Sequence, residues 1–140
     1  MKNNLQKLMD FSLNDWQVLF EAYFLIFALK ISLRCCGFSR VYYYITKQRV
    51  PLVGYSHEKI EKLCYLVRLS CRYHFCRAQC LHYALVAYYL LRQRGVEVDL
   101  CLGVRRVGSD MAAHAWLELE GRAIQESPET QKTYSLLMRC

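Results

Sequence analysis

The chain has no apolar run long enough to cross a membrane. A spanning helix needs about 20 apolar residues. Within the stretch "WQVLFEAYFLIFALKISL", residues 16–33, the longest uncharged piece is Ala22 to Leu29. Glu21 and Lys30 flank that piece and would be costly in lipid. The stretch therefore reads as a helix that packs inside the domain or against another protein, and membrane contact is not expected. A secretion signal is also lacking, because the opening residues are largely polar and Glu21 breaks the later apolar run. This absence points to the cytoplasm, where thiols stay reduced, and so excludes a disulfide framework for the 8 cysteines. Most of them are expected to be small buried hydrophobes. There is no repeat and no low-complexity tract. No glycine-rich phosphate loop, reading helix or finger spacing supports nucleic-acid binding. The net charge of +7, from 19 Lys and Arg against 12 Asp and Glu, suits an acidic peptide equally well.

What is present fits one domain. A chain of 140 residues can bury a real core without staples. With 54% apolar residues, 11 Tyr and 6 Phe, it predicts a densely aromatic interior or a surface that wants a partner. Ser12 or Asn14 caps a first helix that runs to about Cys35 and stops at Gly37. A second short helix is predicted over 39–48. Pro51 and Gly54 punctuate a loop at 50–56. Ser56 then caps a helix with Glu58 in its first turn and Ile60, Leu63, Cys64, Val67 and Cys71 at helical spacing. Another helix begins near Cys80, carries Leu81, Ala84, Leu85, Tyr88 and Leu91 on one stripe, and ends at Gly95.

The period then changes. Val96, Val98, Leu100, Leu102 and Val104 alternate as a strand, and residues 108–111 form a turn. "AAHAWLELEGRAIQE" reads as a hairpin, with Ala113, Ala115, Leu117 and Leu119 on one face and His114, Trp116 and Glu118 on the other. Gly121 suits the left-handed position of a three-residue loop. That loop pairs Glu118 with Arg122, Trp116 with Ile124 and His114 with Glu126. A two-residue loop would shift the register by one and send Glu126 to the opposite face. The expected class is α+β, helices followed by a small antiparallel sheet. Residues 1–55 form an N-terminal helical segment packed on a core of residues 56–140.

Three residues form a chemical constellation: Cys80 at a helix start, His114 on a strand and Glu126 across the hairpin. A thiolate attacks carbonyl carbon, and a helix N-terminus and a nearby imidazolium both favour thiolate over thiol. Histidine can act as base and then as acid toward the leaving amine. A carboxylate beside it fixes the tautomer and steadies the cation. The Cys80 backbone N–H is a candidate oxyanion donor, with the Gln79 side chain as a second. On spacing alone, an inert buried thiol and a strand histidine bonded to backbone are the simpler readings of these residues.

"CLHYALVAYYLLRQRGVEVDLCLGVRR" followed by "AHAWLELEGRAIQE" resembles the transglutaminase-like family of lasso-peptide leader peptidases over about residues 76–126. "EAYFLIFALKISLRCCGFSRVYYYI" resembles, more loosely, the helical lead-in of those proteins. The resemblance implies a transglutaminase/papain-like core, a helix packed on a small antiparallel sheet. It also implies a cysteine protease that removes the leader from a ribosomally made precursor before a separate ATP-using lasso cyclase closes the ring. Cys80 matches the nucleophile and His114 the general base. The third member is usually Asp some twelve residues after the histidine, where this chain has Glu126; Glu118 and Gln125 are the alternatives. Some relatives carry a winged-helix-like leader-recognition module ahead of the peptidase. Residues 1–56 are too short and too helical for one, which implies a stand-alone peptidase that relies on a separate recognition protein. No cofactor and no metal is expected. Two rivals remain: acyl transfer to an amine at the same Cys–His site, and a non-catalytic zinc module built from Cys71, His74, Cys76, Cys80 and His82.

Overall fold

The computed structural model describes residues 10–47, 53–75 and 79–140. The start at 1–9, Pro51 and Cys76 lie outside the described residues. Four helices come first: α1 (Leu13–Cys36), α2 (Phe38–Lys47), α3 (His57–Tyr73) and α4 (Cys80–Gln93). Strands β1 (Asp99–Val107), β2 (Asp110–Leu119) and β3 (Arg122–Ala123) follow, then a single turn α5 (Thr130–Thr133) and strand β4 (Ser135–Arg139). The sheet is antiparallel throughout, in the order β3-β2-β1-β4.

The helix ends follow from local chemistry. Ser12 and Asp15 form a reciprocal capping box: the Ser12 side chain accepts from the Asp15 N–H, and Asp15 accepts from the Ser12 N–H at 2.9 Å. Gly37, at φ 80, breaks α1 from α2. Ser56 caps α3 and accepts from the Lys59 N–H.

Helix α4 is the centre of the molecule. Tyr83 through Tyr88, Leu90 and Leu91 are all buried, and each fully buried Leu or Val stabilises by about 1.5–3 kcal/mol. Leu100, Ala115 and Leu117 close the core from the sheet side. On the other side, α1 contributes Val18, Ala22, Ile26 and Leu29, one stripe at helical spacing. Three polar ties pin α1 in place. Lys62 meets the buried Asp15 at 2.8 Å, Arg94 meets Glu21 at 3.0 Å, and the Ser70 hydroxyl donates to the Leu19 carbonyl at 3.1 Å. Glu21, which argued against lipid, is thus an ion-pair partner. A second stripe of the same helix, Trp16, Phe20, Phe24, Phe27 and Ile31, stays exposed. Among the described residues, no helix is long and apolar enough to cross a membrane.

The hairpin differs from expectation in its turn. Glu118 pairs with Ala123 and Leu119 with Arg122, so the loop has two residues, Glu120 and Gly121. Both have positive φ, 52 and 77, the conformation a tight right-twisted hairpin needs. Glu120 takes the left-handed conformation although it is not a glycine. Strand β1 begins at Asp99 and runs on to Val107, later than the alternation from Val96 predicts. Strand β4 and the turn α5 had no counterpart in the sequence pattern.

Candidate active site

Cys80 is the first residue of α4, following the extended Gln79. From Tyr83 onward α4 is buried in the core, while its first turn, Cys80 to His82, is left partly accessible. Among the described residues none accepts a hydrogen bond from the Cys80 N–H. The Gln79 N–H is already used, donating to His82 Nδ1 at 3.1 Å. A cleft of about 310 Å³ opens at this point, lined by Arg68, Cys71, Gln79, Cys80, His114 and Glu126 among others. The three residues of the constellation therefore share one concavity.

His114 sits on β2 opposite Gly103 of β1. Its ring stacks on Trp116 at 6.0 Å between centroids and tilts against Tyr134 at 5.2 Å. This wall exists because position 103 lacks a side chain. A Cβ there would lie 2.8 Å from Trp116 Cη2, 2.9 Å from Cζ3 and 3.0 Å from Tyr134 Cβ. The glycine is needed for close approach of the rings.

Glu126 reaches His114 despite the two-residue turn. One carboxylate oxygen lies 3.5 Å from His114 Nε2, and the other accepts from Arg68 Nη2 at 3.3 Å. The expectation that a two-residue loop would send Glu126 to the other face assumed a strand continuing in strict alternation. Instead β3 ends at Ala123, and Gln125 adopts φ 51. This left-handed residue resets the side-chain direction and returns Glu126 to the histidine. Gln125 is held there by its amide, which donates to the Glu61 carbonyl at 2.8 Å.

With Glu126 on Nε2, the ring nitrogen left for a thiol is Nδ1. The alternatives to Glu126 are engaged elsewhere: Gln125 on Glu61, and Glu118, fully buried, on Trp116 Nε1 at 2.9 Å, Gln131 at 2.7 Å and Arg139 at 2.6 Å. Arg68 is the residue that sequence reasoning missed. Its guanidinium lies over the Tyr83 ring at 4.6 Å while gripping Glu126. Burial works against its charge, but Tyr83 and Glu126 together hold it above the usual arginine range.

The cleft contains a second thiol, Cys71. Burial pushes it up to about 11, against the pull of Arg68 and Lys30, so it stays protonated at neutral pH and is a poor nucleophile. Of the zinc rival's five residues, Cys76 lies outside the described residues. His74 is bonded to the Tyr23 carbonyl at 3.2 Å and packed against Tyr23 and Phe75. Among the described residues, no group of three His, Cys, Asp or Glu is placed to hold a metal.

A nucleophile candidate at a helix start, a strand imidazole and a carboxylate in one cleft can support acyl chemistry. The family model that matches the chain, described as the transglutaminase-like superfamily, spans residues 24–139. No curated protein and no solved structure matches it.

Proposed function

The chain belongs to the transglutaminase-like superfamily, whose members are generally cysteine-dependent enzymes, and from that membership we propose that it is a peptidase with Cys80 as nucleophile, His114 as base and Glu126 as the group that orients it. What carries this reading is the single cleft that Cys80, His114 and Glu126 line together. The Cys80 thiol gives its proton to His114, and sulfur bonds to the scissile carbonyl carbon. As the tetrahedral adduct collapses, the C–N bond breaks and His114 returns the proton to the departing amine. Water then adds to the thioester carbon and loses its proton to His114. The C–S bond breaks, freeing a carboxylic acid and restoring the thiol. The Cys80 N–H, which no described residue accepts, supports a role as oxyanion donor, with the Gln79 side chain as a second.

The substrate is the leader-bearing precursor of a lasso peptide, presented by a separate leader-recognition protein, with cleavage preceding an ATP-dependent cyclase. The "CLHYALVAYYLLRQRG" and "AHAWLELE" stretches support this choice, and the charge of +7 suits an acidic leader. The exposed stripe Trp16, Phe20, Phe24 and Phe27 offers the recognition protein an apolar surface. The reaction takes place in the cytoplasm.

The test is incubation of the precursor with this chain, with and without the recognition protein, followed by mass spectrometry. Hydrolysis yields a free leader acid and a core peptide with a new N-terminal amine; acyl transfer yields a leader joined to an amine. Cys80→Ala should abolish cleavage while far-UV circular dichroism stays native. Normal cleavage by that variant would overturn the assignment.

A further inference from the structure

Strand β2 pairs with β1 from Asp110 to Glu118, but its other edge pairs with β3 only near its end, at Glu118 and Leu119. The two-residue turn at Gly108 and Ser109 makes Val107 and Asp110 the closing pair of the β1–β2 hairpin, so the even-numbered residues of β2 bond to β1 and the odd-numbered ones turn their N–H and C=O outward. The other end of the strand gives the same parity, because the Leu117 carbonyl accepts from the Ile124 N–H at 2.9 Å. Beyond that bond the outer partner is lost, since β3 ends at Ala123 and Gln125 turns away. Met111 and Ala113 are exposed, and among the described residues no hydrogen bond engages their outward groups.

Proteins usually blunt such an edge with lysine, proline or a bulge. The run Met111-Ala112-Ala113 has none of these. It leads directly into His114, and His114 lines the cleft with Cys80. We infer that the open edge of β2 is the substrate groove: the polypeptide to be cut lies along Met111–Ala113 as an added strand, exchanging main-chain hydrogen bonds with Ala113. Its scissile carbonyl is thereby carried past His114 to Cys80. This inference rests on the peptidase reading and deepens it.

Two observations select the occupant. Unpaired backbone donors and acceptors alternating along an extended edge are matched by another extended backbone, which supplies affinity without demanding a sequence. The side chains nearby are mostly cationic: Arg105 and Arg106 stand opposite Ala112 and Met111 on β1, and Arg68 and Arg72 line the cleft, against Asp110 at the strand start and Glu126 in the cleft. The segment that fits is extended and acidic.

The experiment combines one variant with one exchange measurement. Ala113→Pro removes an N–H that points away from β1, so the β1 ladder and the unfolding temperature should persist. Cleavage of a synthetic peptide spanning the leader–core junction should then show KM raised roughly tenfold, the loss of a single main-chain bond, with kcat little changed. In the Cys80→Ala protein, the same peptide should slow amide hydrogen exchange at Met111 and Ala113. Unchanged KM together with unchanged exchange would overturn the groove while leaving the peptidase standing. Slowed exchange in a chain whose wild type cuts nothing would keep the groove and remove the peptidase. If Ala113→Pro instead converts a dimer to a monomer, the edge is a contact between copies and the inference falls.

Discussion

The Glu126 carboxylate lies between an imidazole and a guanidinium, 3.5 Å from His114 Nε2 through one oxygen and 3.3 Å from Arg68 Nη2 through the other. The arginine fixes the carboxylate, and the carboxylate orients the imidazole. Glu126→Gln keeps the shape and loses the charge. Its expected effect is a fall in kcat smaller than the ~10²–10⁴-fold loss for removing the His114 base itself. Arg68→Met should slow turnover in the same direction. Because both act through one ring, the double variant should cost less than the sum of the single ones. Steady-state kinetics of the four proteins checks this; strict additivity would dissociate Arg68 from the site.

Gly103→Ala probes the wall behind the histidine. The new methyl would meet Trp116 at 2.8 Å, and Trp116 is buried and tied to Glu118. Overpacking of this kind costs about 1–3 kcal/mol. The unfolding midpoint should fall, and kcat should fall further than stability explains, because Trp116 carries the His114 ring. Thermal unfolding and kinetics on one preparation separate the two effects. An unchanged midpoint would mean that the sheet relaxes there without strain.

Glu118 predicts how stability depends on acid. Burial alone would raise its carboxyl, but hydrogen bonds from Gln131 and Trp116 and the Arg139 charge outweigh burial and hold it below the usual carboxylate range. A group depressed on folding contributes stability that is fully present above its unfolded value and is lost as pH falls through the folded one. The midpoint should therefore drop as the solution is acidified below the ordinary carboxylate range. Glu118→Gln should cost about 1–3 kcal/mol at neutral pH and flatten the acid limb. A limb as steep in the variant as in the parent would place the titrating group elsewhere.

The parts of the fold that local chemistry decides were legible in the sequence. Ser12, Ser56, Gly37 and Gly95 marked helix ends because caps and left-handed stops act within one turn of chain. Cys80 and His114 were legible as candidates because each sits at a marked place on a regular element. The turn register was not legible: Gly121 announced a tight loop, but nothing announced that Glu120 would adopt φ 52. Strand β4, "SLLMR", escaped because every residue in it is exposed and no inside-outside alternation exists to read. Arg68 escaped because its partner lies 58 residues away, a distance across which helical periodicity carries no information.

Gln125 has a consequence beyond its dihedral angle. Its amide is anchored on Glu61 and its neighbour Glu126 on Arg68, and both anchors belong to α3. The imidazole is fixed by the strands, whereas the acid beside it is moored to a helix on another layer. Warming that loosens this mooring would detune the histidine while the strands remain knitted, so turnover should fade at a lower temperature than the one at which the β-structure melts.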